Sequence, residues 1–120
     1  MAEQTKDART KKEYARLRKQ FAGLDEKSRA IAEPLTQNAA FMRVTLEDLQ
    51  EEVNTYGTTE EYQNGPNQSG FKQSAALQAY NATVKNYNAT VKTLAGILQQ
   101  AAPAEEKTIR SLMADLMNDE

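Results

Sequence analysis

The chain of 120 residues contains no cysteine, no histidine and no tryptophan. Without cysteine there is no disulfide framework and no thiol chemistry. Without histidine the commonest general base and metal ligand is missing. Apolar residues are also scarce, at 39%, against 27% charged. A compact monomer of this size wants a fuller core, so the shortfall points to elongated helices that complete their burial against other copies or partners. No apolar run approaches the length of a membrane span, and the polar start lacks a signal-peptide core. The expected location is therefore the cytoplasm, with no membrane contact. The Asn-x-Ser/Thr triplets at Asn67, Asn81 and Asn88 are then chance matches.

What is present is charge, unevenly placed. Residues 1–20 carry seven basic side chains against three acidic ones, and residues 103–120 carry five acidic against two basic. The asymmetry suits a basic arm for a polyanion at one end and an acidic tail at the other, or two solvated helix faces.

Apolar periodicity divides the chain into helices. A basic segment over about residues 7–22 has Tyr14, Leu17 and Phe21 as a narrow stripe. Gly23 ends it and Asp25 caps the second helix. From about Glu26 to Tyr56 the stripe is Ile31, Leu35, Ala39, Met42, Leu46, Leu49, Val53 and Tyr56, stepping by threes and fours. Pro34 lies inside it and predicts a kink or break near Glu33. Gly57 is a natural stop. Residues 57–73 form a long connection with turns at Asn64-Gly65-Pro66 and Ser69-Gly70, which Tyr62 and Phe71 could pin to the helix ends.

The third helix, about residues 74–99 with Ser74 as cap, is the clearest signal. Leu77, Tyr80, Val84, Tyr87, Val91, Leu94 and Leu98 alternate without a slip, and Tyr80–Asn86 is repeated almost unchanged in Tyr87–Thr93. A strict heptad needs a partner stripe, which the second helix supplies. Beyond Pro103 a short amphipathic helix over about 105–118 carries Ile109, Leu112, Met113 and Leu116. Such a helix does not hold itself in water and calls for a docking partner. The expected architecture is all-α. A basic arm (1–22) precedes a long antiparallel helical hairpin (24–100, helices 26–56 and 74–99), and a short acidic helix (103–120) comes last.

Candidate sites emerge from the same pattern. Lys11, Lys12, Arg16, Arg18 and Lys19 can contact phosphates without reading sequence. Leu46, Leu49, Val53, Leu77, Tyr80, Val84, Tyr87 and Val91 form the expected oligomer interface. Leu112, Met113 and Leu116 are the expected partner contact. Glu47, Asp48, Glu51 and Glu52 cluster on one helix, but no second acidic segment converges on them, so they read as a solvated face and not a metal site. Residues 64–70 lack the Lys-Ser/Thr of a phosphate-binding loop, and no serine has a credible base. The chain is expected to be no enzyme and to need no cofactor or metal.

Particular stretches also look like those of a known family. They are Ala39-Ala40-Phe41-Met42, Thr45 to Glu52, Tyr62-Gln63-Asn64-Gly65-Pro66 continuing to Ser74, and Tyr80-Asn81 through Lys85-Asn86-Tyr87 to Lys92 and Leu94. Over about residues 25–100 the chain resembles the small terminase-subunit-like proteins of tailed phages and prophages, the P27-type group. The resemblance implies a ring-forming DNA-packaging factor. It would bind viral DNA, assemble through its helical hairpin and deliver DNA to a large subunit that holds the ATPase and nuclease. The family's better-known members carry a folded N-terminal DNA-binding domain, whereas this chain has only its short basic segment. A second expectation, from the residues alone, is a small helical phage inhibitor or adaptor. It would present Glu47 to Glu52 as a phosphate mimic to a host nucleic-acid enzyme.

Overall fold

The computed structural model describes residues 4–100, 113–114 and 116–117. The protein is predominantly helical. Helix α1 spans Lys6–Arg18 and tightens into a single 3-10 turn at Lys19–Phe21; α2 spans Glu26–Tyr56 and α3 Ala75–Gln100. Between α2 and α3 lie two antiparallel strands, β1 (Thr59–Gln63) and β2 (Ser69–Gln73).

The helix ends are fixed by local chemistry. The Thr5 hydroxyl accepts from the Ala8 amide at 3.0 Å, the Asp25 carboxylate from the Ser28 amide at 3.1 Å, and the Ser74 hydroxyl from the Leu77 amide at 3.1 Å. Each satisfies a donor that has no partner within its own helix. Gly57 ends α2 at φ 92°, a conformation that side chains with a Cβ resist, while its amide closes the last turn onto the Val53 carbonyl at 2.7 Å.

Both α1 and α3 pack on α2. Leu94 of α3 meets Ala32 and Ala39 of α2, and Leu77 and Tyr80 lie beside Gln50, Val53 and Asn54, so α3 runs back along α2. Arg9 meets Asp48 and Tyr14 meets Glu33, so α1 also runs antiparallel to α2. The core sits where all three helices meet. Phe21, Leu24, Ala32, Ala39 and Leu94 are buried there, with Leu17, Leu35, Tyr87, Ile97 and Leu98 packed around them. Ala32, Ala39 and Ala40 are essentially inaccessible; their small side chains let helix axes approach closely. Thr36 is buried among them and donates its hydroxyl to the Ala32 carbonyl at 2.8 Å. The molecule is long, 71 × 36 × 29 Å, with a radius of gyration of 20.4 Å. A compact domain of this length has a radius of about 14 Å.

Several expectations need correction. Pro34 does not break α2, which is continuous through it. The ring lies on the exposed side of the helix, and packing by α1 and α3 outweighs one missing backbone donor. The 57–73 connection is a β-ribbon, so the fold is not purely helical. The turn at Asn64-Gly65-Pro66 is as expected, with Gly65 at φ 115° and the Asn64 amide donating to Gln68 O at 2.7 Å. The turn expected at Ser69-Gly70 is not there, since both residues open β2 opposite Gln63 and Tyr62. Phe71 pins nothing, being 75% exposed; Tyr62 instead lies against Gly70. The predicted α2 stripe is buried only at its middle, since Ile31 and Tyr56 are exposed at 55% and 79%. Most of the expected helix over 105–118, Leu112 included, lies outside the described residues. Within it Met113, Ala114, Leu116 and Met117 are helical and exposed.

Candidate functional site

Helix α1 holds the basic residues. Positions 9, 12, 16 and 19 are separated by three and four, so they share one face. In the structure Arg9, Lys12, Arg16 and Lys19 line one groove between α1 and α2, with Glu13 and Glu47 on its walls. Three of the five expected DNA contacts, Lys12, Arg16 and Lys19, are thus brought together. Lys11 is not among them. It lies beside Thr10, Tyr14 and Gln37 and pairs with Asp7 at 3.2 Å. Arg18 stands 5.9 Å from the Tyr14 ring centre and lines a neighbouring groove with Lys19 and Arg29.

The cations differ in their freedom. Arg16 forks onto Glu13 through two bonds of 2.7 and 2.6 Å. That hydrogen bonding holds the Glu13 carboxyl below its ordinary value, against the opposing effect of partial burial. Among the described residues Lys12 and Lys19 have no carboxylate partner. They are the groove's available cations.

Sequence reasoning missed Arg9. Its guanidinium reaches Asp48 at 2.6 Å and Glu47 at 3.9 Å. The acidic quartet of α2 is therefore not simply a solvated face, because two of its members hold α1. The signal was in the sequence: a run of positive charge and a helical run of carboxylates in one short chain are natural partners. Lys6 also escaped notice; its ammonium sits 4.3 Å from the Phe41 ring centre. Tyr14 donates its hydroxyl to Glu33, and the adjacent carboxylate pushes the phenol above its ordinary value.

The expected assembly residues lie along α2 and α3. Leu46 is buried; Leu49, Val53, Leu77, Tyr80, Val84 and Tyr87 are half-buried; Val91 is exposed at 40%. Much of this stripe is used within the chain, since Val53 faces Leu77 and Tyr80, and Tyr87 borders the core. Of the expected partner contacts, Met113 and Leu116 are exposed and Leu112 lies outside the described residues. Among the described residues no helix is long and apolar enough to cross a membrane, and no acidic group is arranged to hold a metal ion. Comparison with known proteins adds no relative: no family model matches the chain, and no curated protein or solved structure is significantly similar to it.

Proposed function

We propose that the chain is a DNA-handling assembly factor of the small terminase-subunit type, working as a homo-oligomeric ring in the bacterial cytoplasm. The observation that carries this is the face of Lys12, Arg16 and Lys19, presented on a helix fixed to the end of a long helical pair. In this reading Lys12 and Lys19 meet DNA phosphates directly. Arg16 joins them where phosphate displaces Glu13, and Lys11 and Arg18 add contacts on the helix flanks. One such face binds weakly; repeated around a ring, it gains through avidity. The α2–α3 hairpin is the oligomerisation unit, with Val84 and Val91 on its half-covered seam. The C-terminal segment, with Leu112, Met113 and Leu116, docks on the large subunit or a neighbour. The reading assigns the chain no catalytic step and no cofactor.

Light scattering coupled to gel filtration, together with a DNA-binding series over salt concentration, tests the proposal. The full chain is expected to be multimeric at micromolar concentration. Converting Lys12 and Lys19 to alanine is expected to reduce the salt slope by about one phosphate contact each. A strict monomer, or a slope that ignores both changes, would sink it.

A second reading has one specific observation behind it. Asp48 and Glu47 already hold a guanidinium, as a phosphate mimic would, while Glu51 and Glu52 stay exposed. Tight binding of a host nucleic-acid enzyme by a chain without DNA affinity would favour an inhibitor or adaptor instead.

A further inference from the structure

The ribbon at the far end of α2 and α3 has no counterpart in the DNA-contact scheme. It is a two-stranded sheet with two free edges, no third strand existing among the described residues. A lone two-stranded ribbon is marginal in water. This one carries Phe71 at 75% exposure and has Tyr56, at 79%, near its base in the sequence.

Its backbone polarity can be assigned. The Ser74 amide donates to Thr58 O at 2.8 Å and the Asn64 amide to Gln68 O at 2.7 Å. The register sets Thr59 opposite Gln73, Glu61 opposite Phe71 and Gln63 opposite Ser69. Antiparallel ladders alternate between bonded and non-bonded pairs. The bonded pairs are therefore those of Glu60 with Lys72 and Tyr62 with Gly70. The amides and carbonyls of Thr59, Glu61 and Gln63 point away on one edge, and those of Ser69, Phe71 and Gln73 on the other. Free edges are usually blunted by proline, lysine or a bulge. Here the pairing is regular and the outward-facing positions carry neither proline nor lysine.

We infer that the ribbon is an edge-to-edge joint between copies of this chain, β2 of one copy adding antiparallel to β1 of the next. Charge selects this pairing over its alternatives. Joining β1 to β1 sets Glu61 against its own equivalent, and joining β2 to β2 brings two Lys72 side chains together diagonally. Joining β2 to β1 places Lys72 between its own Glu60, 3.6 Å away, and the neighbouring copy's Glu60. It also pairs the outward groups of Ser69, Phe71 and Gln73 with those of Gln63, Glu61 and Thr59, giving about six hydrogen bonds per joint. The contact is head-to-tail, so it repeats from copy to copy instead of stopping at a dimer, and it closes a ring where the rotation per copy allows. It rests on the ring reading and supplies that ring with a second, backbone-mediated contact.

Proline scanning of the full chain tests the joint. Phe71→Pro and Glu61→Pro each delete an outward amide and spare the ribbon's own bonds. Both are expected to lower the assembled mass while the helical circular dichroism is kept. Lys72→Pro deletes an inward amide and marks what loss of the ribbon itself does. In the unmutated assembly, hydrogen exchange at residues 59, 61, 63, 69, 71 and 73 is expected to slow about tenfold or more relative to dilute monomer. That measurement stands even if a variant misfolds. A multimer whose mass survives both prolines and whose outward amides exchange freely overturns the joint and leaves the ring standing. A strict monomer overturns both.

Discussion

Helix α2 has two different neighbourhoods along its length. From Ala32 to Leu46 it is packed by α1 and by α3, and nearly every buried side chain of the described residues lies on this stretch or against it. Beyond Leu46 helix α1 reaches it through the Arg9 ion pairs with Glu47 and Asp48, its apolar partner is α3, and Leu49, Val53, Leu77, Tyr80 and Val84 reach only half-burial. The heptad pattern in α3 runs through both neighbourhoods without change. A regular apolar stripe therefore does not tell how much of it is buried; the number of helices meeting there does. Stability belongs to the three-helix base, and the two-helix shaft with its ribbon is left with surface for contacts outside the chain.

The largest expected effect tests this division directly. Leu94 is 4% exposed at the base, so Leu94→Ala is expected to cost about 2–5 kcal/mol, a large part of the total for a small domain. Val84, one and a half heptads earlier on the same stripe, is half-buried. Val84→Ala is expected to cost about 1 kcal/mol or less, since alanine recovers helix propensity. Urea unfolding of dilute monomer measures both. Equal losses would mean that the shaft is as firmly packed as the base. A smaller effect of opposite sign is expected at Pro34. Alanine there restores an amide for the Ala30 carbonyl on an exposed face, and is expected to stabilise the base by about 1–3 kcal/mol in thermal unfolding. A loss would show that the proline ring does work in α2 that its exposure hides.

The same contrast explains what was legible in the sequence. Local signals carried through: Asp25 and Ser74 cap, Gly57 stops, Gly65 turns, and the three main helices fall where periodicity puts them. Each depends only on neighbours within one turn. Pro34 does not break α2, because its local cost is real but tertiary packing exceeds it. The ribbon escaped because Thr-Glu-Glu-Tyr-Gln and Ser-Gly-Phe-Lys-Gln have no buried face, and alternation reveals a strand only when one side is covered. On α1 the sequence could supply the cations but not their division. Whether Lys11 shares a groove with Lys12 depends on where α2 lies, and the Arg9–Asp48 contact that fixes α1 spans 39 positions.

The smallest expected effect concerns pH, and it too is placed at the base. Hydrogen bonding to Arg16 lowers Glu13 from an ordinary 4.5, and bonds to Ser28 lower Asp25 from 3.8. A carboxyl whose folded pKa is depressed stabilises the fold above its unfolded value and loses that contribution as pH falls through the folded one. Tyr14 behaves in the opposite sense. Its hydrogen bond to Glu33 raises it from 10.0, so its contribution is complete below that value and is lost as pH rises through the folded pKa. The base should therefore weaken at both extremes, below about pH 4.5 and above about pH 10. Arg16 is more than half exposed, so solvent screening keeps the Glu13 contribution below about 1 kcal/mol. Glu13→Gln is expected to flatten the acid limb of stability against pH, and Tyr14→Phe the alkaline limb. Val84→Ala, out on the shaft, should shift the whole curve and leave both limbs in place. If Val84→Ala flattened either limb, the shaft and the base could not be separate in the way their burial indicates.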